Sequence, residues 1–236
     1  MRFGEAWLVL KDDGLYLHVV FRQAVVLPEM GADAKVIAVD VNENVVVYGN
    51  DDFAERFETN EGIIRTRYFL KRRRIRSKIR GKELQKRLLG KYRGREWRRV
   101  KEIYYKLIRL GRWAAKEIAA TIIVMEDLRR LNEEDKGSKK LNGRIHRWSY
   151  RRFQWILEYQ AKLHGLNVVY VDPAYTSTLC PVCGGELDLS PNGHRLRRCG
   201  LKEDRDVIAV KNLTKRYYEE YMNMKNTKNL LIVSTR

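Results

Sequence analysis

Three acidic residues, far apart in the chain, stand at the ends of apolar segments. Asp40 closes the run Val36-Ile37-Ala38-Val39, Glu126 closes AATIIVM at 119–125, and Asp206 precedes the apolar-patterned stretch 207–221. A carboxylate delivered by a buried strand is costly to hold alone, so it usually has a partner, and a divalent metal is a common one. Taken singly, each residue has a plainer use: Asp40 can cap a turn, and Asp204 can be the N-cap of the last helix, with Asp206 in its first turn facing the sheet. Together, three carboxylates at one sheet edge repel one another unless cations lie between them. Two Mg²⁺ or Mn²⁺ ions about 4 Å apart, gripping an attacking water and a leaving 3′ oxygen, are the usual device for cleaving a phosphodiester. Asp40, Glu126 and Asp206 are therefore the predicted two-ion site.

A second group of ligand-type residues is more compact. All three cysteines lie between Cys180 and Cys199, as Cys180-Pro-Val-Cys183-Gly-Gly and Cys199-Gly200. C-x2-C followed by glycine is the knuckle of a zinc ribbon, whose tight turns aim both thiolates at one tetrahedral ion. A disulfide scaffold is not expected in a chain without a secretion signal. Three cysteines leave one position to fill. His194 is the nearest candidate, and Leu196 stands where a second C-x2-C would begin. Two readings stay open: a zinc site of Cys180, Cys183, Cys199 and His194, and a ribbon-shaped loop without its ion.

The charge is as informative as the acids. Residues 65–112 hold 21 Lys and Arg against 3 Glu, which equals the net +18 of the whole chain; the rest is neutral. A block so dense in one sign repels itself unless a polyanion neutralises it, so a nucleic acid is the expected partner. The residues expected to meet phosphates are Lys71, Arg72, Arg73, Arg74, Arg76, Lys78 and Arg80 on one arm and Arg98 and Arg99 on the other. The aromatics of this segment, Tyr68, Phe69, Tyr92, Trp97 and Tyr105, could stack on bases, with core packing the favoured role for Trp97 and Tyr104. With 44% hydrophobic residues the chain is too apolar to be disordered. No apolar run approaches the ~20 residues that cross a bilayer, and residues 1–5 lack a signal-peptide core. The reading is a soluble, cytoplasmic protein with no membrane partner and an oligomeric state that stays open.

The elements that must position these residues follow from periodicity. Asp-Gly between the apolar runs 6–10 and 15–21 predicts a hairpin, with Leu15, Leu17, Val19 and Phe21 on one face. A connector with Pro28 and Gly31 follows. Strands at 36–40, 45–48 and about 53–57 predict an antiparallel meander, with Asn42, Glu43 and Asn44 as the first turn. From about residue 63 the pattern turns helical. Trp97, Val100, Tyr104, Leu107, Ile108, Gly111, Ala114, Ala115 and Ile118 trace one apolar stripe at steps of three and four, while basic residues fill the other faces. A long helical hairpin is expected, its joint punctuated by Gly81, Gly90 and Gly94. Then come a strand at 119–125, a polar, Gly-bearing mobile loop at 131–147 that could gate the cleft, an aromatic-rich helix at 149–164, a strand at 167–171 and a terminal helix.

The succession VIAVDVN, IVMEDL, DPAYTSTLCPVCGG and CGLKEDRDVIAVKNL resembles the TnpB (OrfB) family of insertion sequences, related to type V CRISPR effector nucleases, over about residues 35–218. The resemblance implies an α/β, RNase H-like (RuvC-type) mixed sheet flanked by helices, with the basic hairpin at 63–118 and a small zinc-ribbon-like unit as insertions. It implies four parts: a β-hairpin remnant of an N-terminal β domain with its connector (1–34), a RuvC-like nuclease domain (35–174), the ribbon (175–203), and the terminal helix and tail (204–236). Asp40, Glu126 and Asp206 match the family's metal-binding acids, and Cys180, Cys183 and Cys199 match three of its four zinc cysteines. Ile208 stands where the family has a polar residue. The implied activity is RNA-guided DNA cleavage by a two-metal endonuclease, with a guide RNA and DNA as partners. A catalytically inactive nucleic-acid binder or regulator of transposition, and a transposase with strand-transfer activity, are the alternatives.

Overall fold

The computed structural model describes residues 2–11, 14–129, 138–189, 195–196 and 199–233. In chain order the elements are β1 (Arg2–Lys11), β2 (Gly14–Arg22), β3 (Val36–Val41), β4 (Val45–Gly49), β5 (Ala54–Glu58), α1 (Glu61–Lys78), α2 (Lys82–Glu117), β6 (Ile122–Glu126), α3 (Lys139–Arg147), α4 (Tyr150–Leu163), β7 (Asn167–Val171), β8 (Asp188–Leu189), β9 (Arg195–Leu196), β10 (Lys202–Glu203) and α5 (Arg205–Val233).

The β-branched run of β3 is buried along its whole length because it lies at the centre of a five-stranded sheet of order β5-β4-β3-β6-β7. Strands β3, β4 and β5 form the expected antiparallel meander; β6 and β7 add in parallel, each reached through helices, as parallel crossovers require. The sheet is mixed and covered on both faces. Residues of odd number in β3, Ile37, Val39 and Val41, pack with the stripe of α2 (Val100, Tyr104, Leu107, Ile108) and with Phe153, Ile156 and Leu157 of α4. The even residues Val36 and Ala38 join Ile122 and Val124 of β6 and Val210, Leu213 and Tyr217 of α5. The pleat thus divides the core into two halves.

The basic hairpin is two helices joined at 79–81, and the α2 stripe predicted from periodicity is the face that meets the sheet. Of the three glycines expected at the joint, only Gly81 lies there; Gly90 and Gly94 continue α2, since tertiary packing of a 36-residue helix outweighs about 1 kcal/mol of glycine propensity at each. Gly111 has a packing reason: a Cβ there would stand 2.2 Å from Tyr48 Cε1. The Tyr48 hydroxyl also donates to the Leu107 carbonyl at 3.2 Å, which ties α2 to β4.

The stretch 131–147 departs from the expected mobile loop. Residues 131–137 lie outside the described residues, but 139–147 form α3, whose Ser138 hydroxyl accepts from the Leu141 amide. Arg144 pairs with Glu43 on the β3–β4 turn and holds α3 there. Leu141, Ile145 and Trp148 recur at steps of four and three, a helical period outvoted in the sequence reading by polar composition and Gly143.

The β1–β2 hairpin forms a sheet of its own. Phe3, Leu8 and Leu10 pair across it with Phe21, Leu17 and Leu15, placing six large apolar side chains on one exposed face. Its connector is fastened to the main body: the Tyr218 hydroxyl donates to the Ala34 carbonyl at 2.8 Å, and the Gly31 amide to the Tyr217 hydroxyl at 3.3 Å. Among the described residues, no helix is long and apolar enough to cross a membrane.

Candidate metal centre and nucleic-acid interface

Strand register brings the first two acids together. Parallel pairing sets Val36 beside Ile122 and continues through Val39 beside Met125, so the next row sets Asp40 beside Glu126. Neighbours in register point to the same side of a sheet, and even-numbered positions here face α5. The third acid comes from that helix. Asp204 caps it, accepting from the Asp206 amide at 2.9 Å through its side chain and from the Ile208 amide at 3.0 Å through its carbonyl. Asp206 therefore sits in the first turn, directly over the strand ends, as expected.

One side chain spans two of the acids. Asn42 Nδ2 donates to Asp40 Oδ2 at 2.7 Å and lies 3.2 Å from Asp206 Oδ1. Sequence reasoning assigned Asn42 only to a turn; its even number, two beyond Asp40, was the available signal. Glu126 is oriented from both ends, with the Thr176 hydroxyl 2.5 Å from Oε1 and Gln154 Nε2 donating to its backbone carbonyl at 2.7 Å. Thr176 belongs to the YTST stretch singled out above, although no role follows from its type alone. Asn212 of α5 fixes that stretch, donating to the Thr176 and Leu179 carbonyls at 2.7 and 2.8 Å.

The electrostatics are those of crowded anions in a dry place. Burial, followed by the Glu126 and Asp206 charges, pushes the Asp40 carboxyl well above the usual carboxylate range. Burial also raises Glu126, against the pull of Thr176, Arg216 and Arg205. Cations answer the charge on Asp206: Arg56 reaches Oδ2 at 2.9 Å and Arg205 reaches Oδ1 at 3.3 Å. Arg56 was not anticipated. It lies opposite Val47, which lies opposite Asp40, so one row across three strands carries both residues. A cavity of about 340 Å³ opens beside Asp206, lined by Asn42, Glu43, Arg144, Trp148 and Arg205 among others. The donor set, three carboxylates whose hard oxygens crowd one place, suits divalent Mg or Mn.

The cysteines are drawn closer still. Cys180, Cys183 and Cys199 sulfurs lie within 4.8 Å of one another, with Cys199 3.6 Å from each of the other two. The three carboxylates do not close to that spacing. Zn–S bonds of ~2.3 Å place the corners of a tetrahedron ~3.8 Å apart, so the thiol triangle has the size of a zinc face. Cys180 is buried and packs with Leu187 and Ile208, which gives the apolar Ile208 its place. His194 lies outside the described residues, and Leu196 is part of β9.

The basic residues divide into inward and outward groups. Arg72 pairs with Glu96, and Arg65 with Glu61 and Glu96, so these charges are neutralised within the hairpin. Arg73, Arg74, Arg76, Lys78, Arg80, Arg98 and Arg99 are exposed. Lys71 is exposed too and lies over the Tyr92 ring at 4.7 Å.

Comparison with known proteins places this arrangement. Residues 150–213, which include α4, the cysteines and Asp206, match the family model described as Cas12f1-like, TNB domain. TnpB-like protein MJ0751 of Methanocaldococcus jannaschii is 37% identical over 193 residues, covering 77% of this chain and 68% of that protein. CRISPR-associated endodeoxyribonuclease Cas12f1 of Sulfoacidibacillus thermotolerans is 36% identical over 107 residues, 42% of this chain and 23% of the other. The fold is similar to a chain in a cryo-EM structure of a Cas12f1–sgRNA–target DNA complex, with a TM-score of 0.57 at 17% identity. That likeness covers 88% of this chain and 55% of its neighbour, so this chain spans about half of the larger protein. An ancestry shared over strands, terminal helix and cysteine knuckle alike leads to one conclusion: the chain belongs to the TnpB family, related to the type V CRISPR effectors.

Proposed function

We propose that this chain is a transposon-associated, RNA-guided DNA endonuclease of the RuvC type, with an RNase H-like core. The observation that carries the reading is the meeting of Asp40, Glu126 and Asp206 at one sheet edge, two from adjacent parallel strands and one from a capped helix. These three acids would hold two Mg²⁺ or Mn²⁺ ions, which when bound supply an activated water and neutralise the leaving 3′ oxygen. Asn42 and Thr176 keep two of the carboxylates pointed at that spot. Arg56 and Arg205 pair with Asp206 and, once metal takes their place, are free to meet phosphate. The exposed cations of α1 and α2 grip the backbone of a guide–target heteroduplex, which proteins of this kind read by A-form shape. The reading divides the chain into four parts: a β-hairpin with its connector (1–34), the nuclease domain (35–174), the ribbon (175–203), and the terminal helix and tail (204–236).

The test is cleavage by the purified chain with its copurifying RNA. With Mn²⁺ and single-stranded DNA, the wild type cuts and Glu126→Ala loses cutting by about a hundredfold or more. Equal cutting by both proteins ends the reading. A second reading, an inactive nucleic-acid binder, is favoured by one observation: Asp206 is already paired to two guanidinium groups. It predicts salt-sensitive binding with no cutting by either protein.

Zinc belongs to the same proposal. Cys180, Cys183 and Cys199 would hold one Zn²⁺, with His194 as the fourth ligand. Metal analysis should find about one zinc per chain, lost in Cys199→Ser together with the ion's contribution to thermal stability. A zinc-free wild type of unchanged stability in chelator would show that the ribbon stands without an ion.

A further inference from the structure

Helix α4 turns Phe153, Gln154, Ile156, Leu157 and Ala161 inward and leaves the opposite stripe to water. That stripe reads Arg151, Trp155, Tyr159 and Lys162, at steps of four, four and three. Trp155 and Tyr159 are 64% and 53% exposed, and their rings lie nearly parallel, 6.0 Å apart and 12° from coplanar. The other near-parallel pair among the described residues, Tyr217 and Tyr221, is built on a buried Tyr217. No packing role accounts for an indole and a phenol ring set side by side in solvent.

The surroundings name the ligand class. Glu158, the acid of this helix, is occupied by Lys162 at 2.6 Å and by the Tyr170 hydroxyl at 2.9 Å. Arg152 lies over the Trp97 ring of α2 at 4.4 Å, which carries the cationic surface of the hairpin onto α4. On the inner side of the same helix, Gln154 donates to the backbone carbonyl of Glu126. Flat rings set among the exposed cations of this helix suit unpaired bases on a phosphate backbone. Duplex bases offer no free face. A protein partner would also favour Trp and Tyr, but the exposed Arg151 and Arg152 beside the rings suit phosphate.

We propose that Trp155 and Tyr159 are a stacking platform for the bases of single-stranded nucleic acid, whose phosphates the neighbouring cations hold. The inference rests on the nuclease reading, since it supplies the strand that the acids would cut; its test needs no cutting. In metal-free buffer with EDTA, binding of a fluorescein-labelled oligothymidylate is compared with that of an abasic strand of equal length. The wild type should prefer the strand with bases by about tenfold or more, and Trp155→Ala and Tyr159→Ala should each lose about five- to a hundredfold for it. Trp155→Phe should restore most of that loss. The salt slope should stay the same in the aromatic variants and fall by about 0.7 in Arg151→Ala, which removes an exposed cation of the same stripe.

Equal wild-type affinity for both strands, or aromatic variants within about twofold of wild type, overturns the platform. So does a change in self-association of these variants with strand binding intact, which would assign the pair to a protein interface. If Glu126→Ala cuts like the wild type while the strand preference holds, the nuclease reading fails and the platform stands as a binding site alone.

Discussion

Asp40→Asn should abolish DNA cutting and, in metal-free buffer, make the protein more stable. Asp40 is buried, and the Glu126 and Asp206 charges face it, so ionising it near pH 7 costs the fold free energy. Its carboxyl is held well above the ordinary range, so the penalty sets in as the pH rises past the ordinary carboxylate range and is complete above the raised value. Asparagine keeps the oxygen that accepts from Asn42 and removes the charge. The gain should be about 1–3 kcal/mol, the scale of relieving a poorly compensated buried polar group, or a rise of about 3–10 °C in melting temperature for a chain of this size. Magnesium should then raise the melting temperature of the wild type and leave Asp40→Asn unmoved, because binding to the folded state alone stabilises by mass action. Cutting should fall about a thousandfold, from several kcal/mol of lost transition-state stabilisation. Differential scanning fluorimetry in EDTA and in Mg²⁺, beside a cleavage assay, reads all three. A variant that melts below the wild type in EDTA, or still cuts within about tenfold, would separate Asp40 from the metal site.

The second large effect concerns stability alone. Glu61, at the start of α1, is almost fully buried; it pairs with Arg65, lies 2.8 Å from the Tyr104 hydroxyl and sits 3.5 Å from the Ser149 amide. It joins α1, α2 and the start of α4 through one carboxylate. Arg65 also reaches Glu96 at 3.4 Å, and Glu96 pairs with Arg72. Glu61→Ala leaves the buried Arg65 guanidinium with Glu96, at 3.4 Å, as its remaining carboxylate, and its NH2 group already lacks a hydrogen-bond partner. Removing one member of a buried pair costs about 3–5 kcal/mol, so the melting temperature should drop by about 10 °C or more. The double variant Glu61→Leu with Arg65→Met removes both charges and should recover much of the loss, since apolar replacement of a buried pair is often neutral. If the double variant melts no higher than Glu61→Ala, packing rather than the unpaired charge sets the cost.

Both predictions turn on contacts between residues far apart in the chain, and that separates what was legible from what was not. The meander of β3, β4 and β5, the stripe of α2, the two later strands and the terminal helix were readable, because each follows from a local period of apolar residues and short turn signals. The acids could be picked out because each borders an apolar segment, and the cysteine knuckle because its spacing is local. The family was legible in four short blocks of residues.

Tertiary structure alone decided the rest. No local pattern sets β3 beside β6 with residue 40 next to 126, since that register is fixed by packing between segments some eighty residues apart. Once it exists, the pleat turns Asp40, Asn42 and Glu126 to one side, where α5 brings Asp206, and Arg56 arrives along the same row from β5. Charge counting likewise saw one basic block, whereas folding sends Arg65 and Arg72 inward to Glu61 and Glu96 and leaves their neighbours exposed. Spacing along a chain determines which face a side chain takes on its own element; which faces meet depends on how the elements bury one another.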